Sequence, residues 1–218
     1  MTPPKYKHII WDWNGTLVDD AWLCVDIING QLSKRGLPTI TLKRYQDVFD
    51  FPVKEYYRRL GFDFNKESFE ISGTEFIEVY RKRWRKAKLQ DSAIETLTEI
   101  QELDIPQTLL SASEQRLLVE MIQFYNLGNY FVRLLGLDDH YAGGKIDIGK
   151  KWVAGLNTHP REVLLIGDTV HDHEVAAAIG ADCILFSSGH HSYYKLTSCD
   201  VPVFETLTEV LDFVKNGV

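Results

Sequence analysis

The first apolar run of the chain stops on a carboxylate. Ile9, Ile10 and Trp11 form a short β-prone stretch, Asp12 follows at once, and Asn14-Gly15 signals a turn two residues later. A buried strand ending on Asp12 puts that carboxylate at the edge of a sheet. In an open parallel sheet, the carboxyl ends of the strands are where ligands bind. Taken alone, Asp12 reads equally well as the cap of the next helix; the later chain tips the balance.

From about residue 21 to 88 the pattern is helical, with no convincing strand. Residues 21–35 form one helix, closed by Gly36 ahead of Pro38, and residues 53–60 a second, ended by Gly61. Residues 66–88 read as a long third helix, in which Phe69, Gly73, Phe76, Tyr80 and Trp84 recur at helical spacing. So much helix between one strand and the next implies a separate small helical domain over residues 19–89. Strand–helix alternation then resumes. Strands are expected at 107–111, 131–135, 162–167 and 183–186, with a short one at 201–204 whose Pro202 suits a sheet edge. Helices are expected at 93–103, 114–125 with Ser113 as N-cap, 146–156 weakened by Gly149, 171–179 closed by Gly180, and 205–215. Helices between near-continuous apolar strands imply an α/β fold. Its core, residues 1–18 and 90–218, is a Rossmann-like, doubly wound parallel sheet.

Composition narrows the function. The 218 residues carry a net charge of −7, which argues against nucleic acid as a partner, since affinity there rests on neutralising phosphates. No apolar run approaches the roughly 20 residues that span a bilayer, so no membrane association is expected. Residues 1–5 lack the apolar stretch of a signal peptide. Cys24, Cys183 and Cys199 are widely spaced, without CxxC or Cys/His pairing, and fit a reducing, cytoplasmic setting.

Three expected strands end in a functional side chain: Asp12, Ser111 and Asp168. Asp172 follows Asp168 by four residues, at the start of a helix. In a parallel sheet these ends share one edge, which lets Asp12, Asp168 and Asp172 converge. Packed carboxylates repel unless a cation neutralises them, and hard oxygen ligands favour Mg²⁺. Ser111 can hydrogen-bond an oxyanion there, and a lysine can balance its charge.

This pattern resembles the haloacid dehalogenase superfamily over nearly the whole chain. Asp12-Trp13-Asn14-Gly15-Thr16-Leu17 resembles its DxDGTL motif apart from one residue, Ser111 matches the second motif, and Gly167-Asp168-Thr169-Val170-His171-Asp172 resembles GDxxxD. Lys145 is the better match to the third-motif lysine; Lys150 leaves too few residues before the fourth. The motif order and helical insertion are similar to members with a C1-type helical cap, including phosphoglycolate-phosphatase-like proteins. The resemblance implies Mg²⁺-dependent hydrolysis of a small phosphorylated metabolite, with Asp12 attacking phosphorus to give an aspartyl-phosphate. It also implies metal binding by Asp12, the Asn14 carbonyl, Asp168 and Asp172, the last through water. Ser111, Ala112 and Lys145 are implied to hold the transferring oxygens, and Thr16 to fix the turn or the leaving-group side.

Position 14 departs from the family. Phosphatases of this family carry a second Asp there, which protonates the leaving oxygen and later activates water. Asn14 has hydrogen-bond donors but no transferable proton at neutral pH. General acid–base help is typically worth about 10²- to 10⁴-fold, so slow turnover or a good leaving group is expected. Asp19, Asp20 and His171 are conceivable substitutes, though Asp19-Asp20 reads first as the start of the cap linker and His171 as a helix N-terminal residue. Asn14-Gly15 is also prone to deamidation, which would restore the family motif. The alternatives are phosphoryl transfer or dehalogenation from the same Asp12, and a catalytically impaired module that binds a phosphometabolite. Dehalogenation needs no Mg²⁺, so Asp168 and Asp172 count against it.

Other features read as structural. The basic run from Arg81 to Lys88 complements a helix C-terminus and stays solvated. Gly189-His190-His191-Ser192 reads as a surface loop on the site's edge of the sheet. Phe49, Phe51, Tyr56 and Tyr57 are expected to divide between the cap core and the entrance to the site.

Overall fold

The computed structural model describes residues 5–137 and 144–216. Residues 1–4, on which most of the leader reading rests, lie outside them. The main sheet has six strands in the order β5-β4-β1-β6-β7-β8, all parallel. They are β1 (His8–Trp11), β4 (Gln107–Glu114), β5 (Phe131–Leu137), β6 (Val163–Gly167), β7 (Asp182–Phe186) and β8 (Val203–Phe204). The α/β expectation holds, and the Pro202 strand lies at an edge.

β1 is central, and its burial explains its register. Ile9 and Trp11 join one apolar layer with Leu109, Leu164 and Ile166, against α5 (Ala93–Glu102), α6 (Gln115–Phe124) and α10 (Leu207–Asn216). Ile10 joins the opposite layer with Leu110 and Leu165, against α7 (Lys145–Ala154) and α8 (Val170–Ile179). A one-residue slip would exchange the two faces and draw Asp12 toward the sheet interior. Burying each of Ile9 and Ile10 contributes roughly 1.5–3 kcal/mol to holding the strand within the sheet. Gly149 costs α7 little, because a Cβ there would lie 3.2 Å from both Ile179 and Leu110. The glycine lets the helix sit close to the sheet.

The helical insertion differs from expectation in three places. α1 (Ala21–Lys34) and α3 (Val53–Arg59) match, but α2 (Leu42–Val48) was not foreseen. Its N-cap Thr41 accepts from Arg44 N–H at 3.2 Å, yet only Tyr45 and Val48 are buried, which leaves little periodic signal. The long third helix is shorter, α4 (Phe69–Arg83). The chain then makes a 3-10 turn at Trp84–Lys86 and extends as β3 (Lys88–Leu89), pairing antiparallel with β2 (Val18–Asp19). Trp84 is buried against Phe124 and Tyr125, so the helix yields to the packing of that ring. Ser113 caps nothing: β4 runs on to Glu114 and α6 begins at Gln115. The basic run is paired with neighbouring elements, Arg81 with Glu114, Arg83 with Asp26 and Arg85 with Glu120.

No helix among the described residues is long and apolar enough to cross a membrane. Cys24, Cys183 and Cys199 are free.

Candidate active site

Asp12 follows β1 directly, its N–H donating to Ile166 carbonyl oxygen at 2.8 Å, which fixes it beside the end of β6. The chain then turns through Gly15, whose φ of +81° is in the left-handed region. A Cβ at Gly15 would stand 2.2 Å from Asp168 Oδ2, and one at Gly189 equally close. Both glycines are therefore walls of the Asp168 pocket. Thr16 Oγ1 donates to Asp168 Oδ1 at 2.9 Å, and the His190 N–H donates to Oδ2 at 2.6 Å.

Asp172 is held by the start of α8. Its Oδ2 accepts from Thr169 N–H at 3.0 Å and Thr169 Oγ1 at 2.6 Å, while its N–H returns to Thr169 Oγ1, a capping box. That leaves Oδ1 for Lys145. The Lys145 ammonium lies 2.5 Å from Asp12 Oδ1 and 2.6 Å from Asp172 Oδ1, with all three residues buried. Lys150 is exposed.

Charge here is unbalanced. Asp12, Asp168 and Asp172 have oxygens all within 4.8 Å of one another, and one ammonium stands among them. Burial, and to a smaller extent the Asp172 charge, outweighs Lys145 and raises the Asp12 carboxyl to about 6. Burial together with the charges of Asp12 and Asp172 pushes Asp168 well above the carboxylate range, against His190. Burial works against Asp172 too, but the Lys145 charge and hydrogen bonds hold it below its ordinary value. An all-oxygen, buried, charge-deficient trio fits a hard divalent cation.

A second buried group lies alongside. Asp20, fully buried, accepts from Gly15 N–H at 3.0 Å, Tyr80 Oη at 2.7 Å and Asn14 Nδ2 at 2.7 Å. His190 Nε2 stands 3.3 Å from Asp20 Oδ1, and its Nδ1 is 2.8 Å from Tyr45 Oη. Burial opposes charge on His190, but Asp20 and Asp168 raise it to about 9. Burial likewise opposes Asp20, and the His190 charge with its donors holds the carboxyl below the ordinary value. Asp20, Cys24 and His190 also present ligand atoms within 4.8 Å of one another. The Asp20 carboxylate is matched in charge by His190, so this trio needs no ion.

The structure thus brings Asp12, Thr16, Lys145, Asp168 and Asp172 together. Ser111, on β4 beside β1, is fully buried and its Oγ accepts from Ser113 N–H at 3.1 Å; Ala112 is half-buried beside it. The Asn14 side chain is hydrogen-bonded to Asp20, Tyr80 and Ser113. One expectation is overturned: Gly189-His190-His191 is not a surface loop, since His190 and His191 are buried under Tyr45 and Phe49. Asp20, directly before the first helix of the insertion, is fully buried and hydrogen-bonded. Tyr80 and Ser113 were missed as site residues; the one available signal was that His190 follows β7 on the same sheet edge as Asp12 and Asp168.

A fold of this kind with carboxylates at the ends of β1 and β6 defines a class, and comparison gives its family. The family model for haloacid dehalogenase-like hydrolases matches residues 9–186, and the chain belongs to that family. It is 23% identical to the tyrosine-protein kinase PtkA of Mycobacterium tuberculosis over 84% of this chain, which spans 62% of that protein's length. It is 24% identical to a phosphoglycolate phosphatase of Chromobacterium violaceum, with both chains fully covered. A haloacid dehalogenase-like hydrolase from Streptococcus pneumoniae shares the fold at a TM-score of 0.82 and 17% identity, covering 96% of this chain and 98% of its own.

Proposed function

We propose that the protein is a Mg²⁺-dependent phosphatase of a small phosphorylated metabolite, working through an aspartyl-phosphate on Asp12. The observation that carries this is the convergence of Asp12, Asp168 and Asp172 around a single ammonium, that of Lys145. The likeness to a protein named phosphoglycolate phosphatase, over the full length of both chains, supports the reaction class.

Asp12 supplies the nucleophilic oxygen, and its ionised form is what reacts. Lys145 neutralises negative charge beside that oxygen, and Ser111 with the backbone at Ala112 holds the phosphoryl oxygens. Thr16, bonded to Asp168, keeps the turn and the metal-side carboxylate in fixed relation. Asp12, the Asn14 carbonyl, Asp168 and Asp172 would hold Mg²⁺, which when bound supplies charge neutralisation to the phosphoryl group. Residues 19–89 act as a helical cap on a core of residues 1–18 and 90–218, excluding water from the reacting atoms. The clasp between Gln46 and Gly189, with Gln46 Nε2 donating to the Gly189 carbonyl at 2.8 Å, supports that division of labour. A cytoplasmic setting belongs to the same reading, supported by the buried free thiols of Cys24 and Cys183.

The test is hydrolysis of an aryl phosphate and of phosphoglycolate, with Mg²⁺ and with EDTA, by wild type and Asp12→Asn. Mg²⁺-dependent release of phosphate, lost in Asp12→Asn, is expected. Equal rates in the variant would refute Asp12 as the nucleophile.

A further inference from the structure

Asn14 has more partners than a turn residue needs. Its Oδ1 accepts from Ser113 Oγ at 2.8 Å, and its Nδ2 donates to Asp20 Oδ2 and Tyr80 Oη, both at 2.7 Å. An amide nitrogen has two N–H donors, and both are engaged here. Turning the amide over would set its oxygen against the Asp20 carboxylate, so the orientation is fixed.

Asp20 faces donors on every side: Asn14 Nδ2, Gly15 N–H, Tyr80 Oη–H and the His190 ring. That environment suits a carboxylate, which only accepts. A second carboxylate at position 14, in the same geometry, would bring an acceptor oxygen within 2.7 Å of the buried Asp20 carboxylate. The two positions fit each other as one amide and one carboxylate, in either order.

We propose that Asn14 and Asp20 are an exchanged amide–carboxylate pair, in which Asp20 is a positioning residue that holds the Asn14 amide, and that with no acid at position 14 turnover is confined to aryl and acyl phosphates, whose leaving oxygen departs without a proton. This rests on the phosphatase reading of Asp12. In the first step the bond from the Asp12 oxygen to phosphorus forms and the bond from phosphorus to the leaving oxygen breaks. The electron pair stays on the leaving oxygen, which takes its proton from solvent. Water then attacks the phosphorus, the bond to Asp12 breaks with its electron pair returning to the carboxylate, and the water proton passes to a phosphoryl oxygen. Asn14 delivers no proton in either step, because an amide has none to transfer at neutral pH, and both its N–H groups are held by Asp20 and Tyr80.

The experiment measures kcat/KM for aryl phosphates of graded leaving-group basicity and for one alkyl phosphate. It uses wild type, Asn14→Asp, the double variant Asn14→Asp/Asp20→Asn, and Asp12→Asn, with the unfolding temperature of each. In wild type, kcat/KM should fall steeply as the leaving group becomes more basic. The double variant should show a shallow dependence and a gain of about 10²- to 10⁴-fold on the alkyl substrate. Asn14→Asp alone should unfold at a lower temperature than both wild type and the double variant.

A shallow dependence in wild type overturns the proposal, since another group then delivers the proton. So does an Asn14→Asp variant as stable as wild type and as fast as the double variant, or a double variant less stable than Asn14→Asp or unable to fold. Failure of the underlying reading shows separately, as Asp12→Asn turning over at the wild-type rate. If no variant turns over any phosphate, the substrate claim falls with that reading, and the unfolding temperatures still decide the pair.

Discussion

The two buried groups at this sheet edge treat charge in opposite ways. Around Asp12, three carboxylates lie within reach of one another with one ammonium paired to two of them, and burial, with the neighbouring carboxylates' charge, raises the Asp12 and Asp168 carboxyls. Around Asp20, one carboxylate meets donors from four residues and its carboxyl is lowered. The first group leaves negative charge unmatched. The second is complete as it stands. A site of this kind receives its ligand where charge is unmatched and holds its shape where it is matched.

The largest effect is expected from removing the positive charge of the first group. Lys145→Ala leaves Asp12 and Asp172 buried against each other and should cost about 3–5 kcal/mol in urea unfolding. If the carboxylates bind Mg²⁺ as proposed, the ion should recover part of that loss by binding the folded state. No recovery would mean that the carboxylates do not bind the ion. In the second group, Tyr80→Phe takes a donor from ionised Asp20 and an acceptor from Asn14, and should cost about 1.5–3 kcal/mol by the same assay. A smaller cost would mean that this group is less tightly matched than its geometry indicates. Between the groups, Gly189→Ala drives a methyl into Asp168, with an expected penalty of about 1–3 kcal/mol and weaker Mg²⁺ binding in a calorimetric titration.

The smallest effect belongs to a histidine outside both groups. His8 is buried on β1, its Nε2 2.8 Å from Thr108 Oγ1, and burial lowers it from 6.5 to about 4. The folded state therefore takes up this proton less readily than the unfolded chain. The stability it allows is complete above 6.5 and is lost as pH falls toward 4. Wild type should lose on the order of 1–2 kcal/mol more than His8→Gln across that interval, as measured by denaturant midpoints. Equal losses would show that the low-pH sensitivity lies in the carboxylate groups instead.

What the sequence disclosed and what it hid divide along the same line. Asp12 and Asp168 were legible because each ends an apolar run, and the strand period places such a residue at the sheet edge without knowledge of any other contact. Lys145 was legible only through the family resemblance, since nothing local distinguishes it from Lys150. Tyr80, Ser113, His190 and the role of Asp20 were hidden because partners that define them are distant in sequence: Asp20 to Tyr80 spans 60 residues and Asn14 to Ser113 spans 99. An acidic pair after a turn and a histidine pair after a strand look solvated until tertiary packing closes over them. The overlong third helix failed for a related reason, because Trp84 packs on α6 and β3 must extend to reach β2.

The most direct test of the central claim is acid quenching of the enzyme during turnover of an aryl phosphate with Mg²⁺, followed by mass analysis of the intact chain and its peptides. One phosphoryl group on the peptide that contains Asp12, absent in Asp12→Asn and absent with EDTA, is the expected result. Rapid phosphate release with no phosphoryl group on that peptide at any quench time would contradict it.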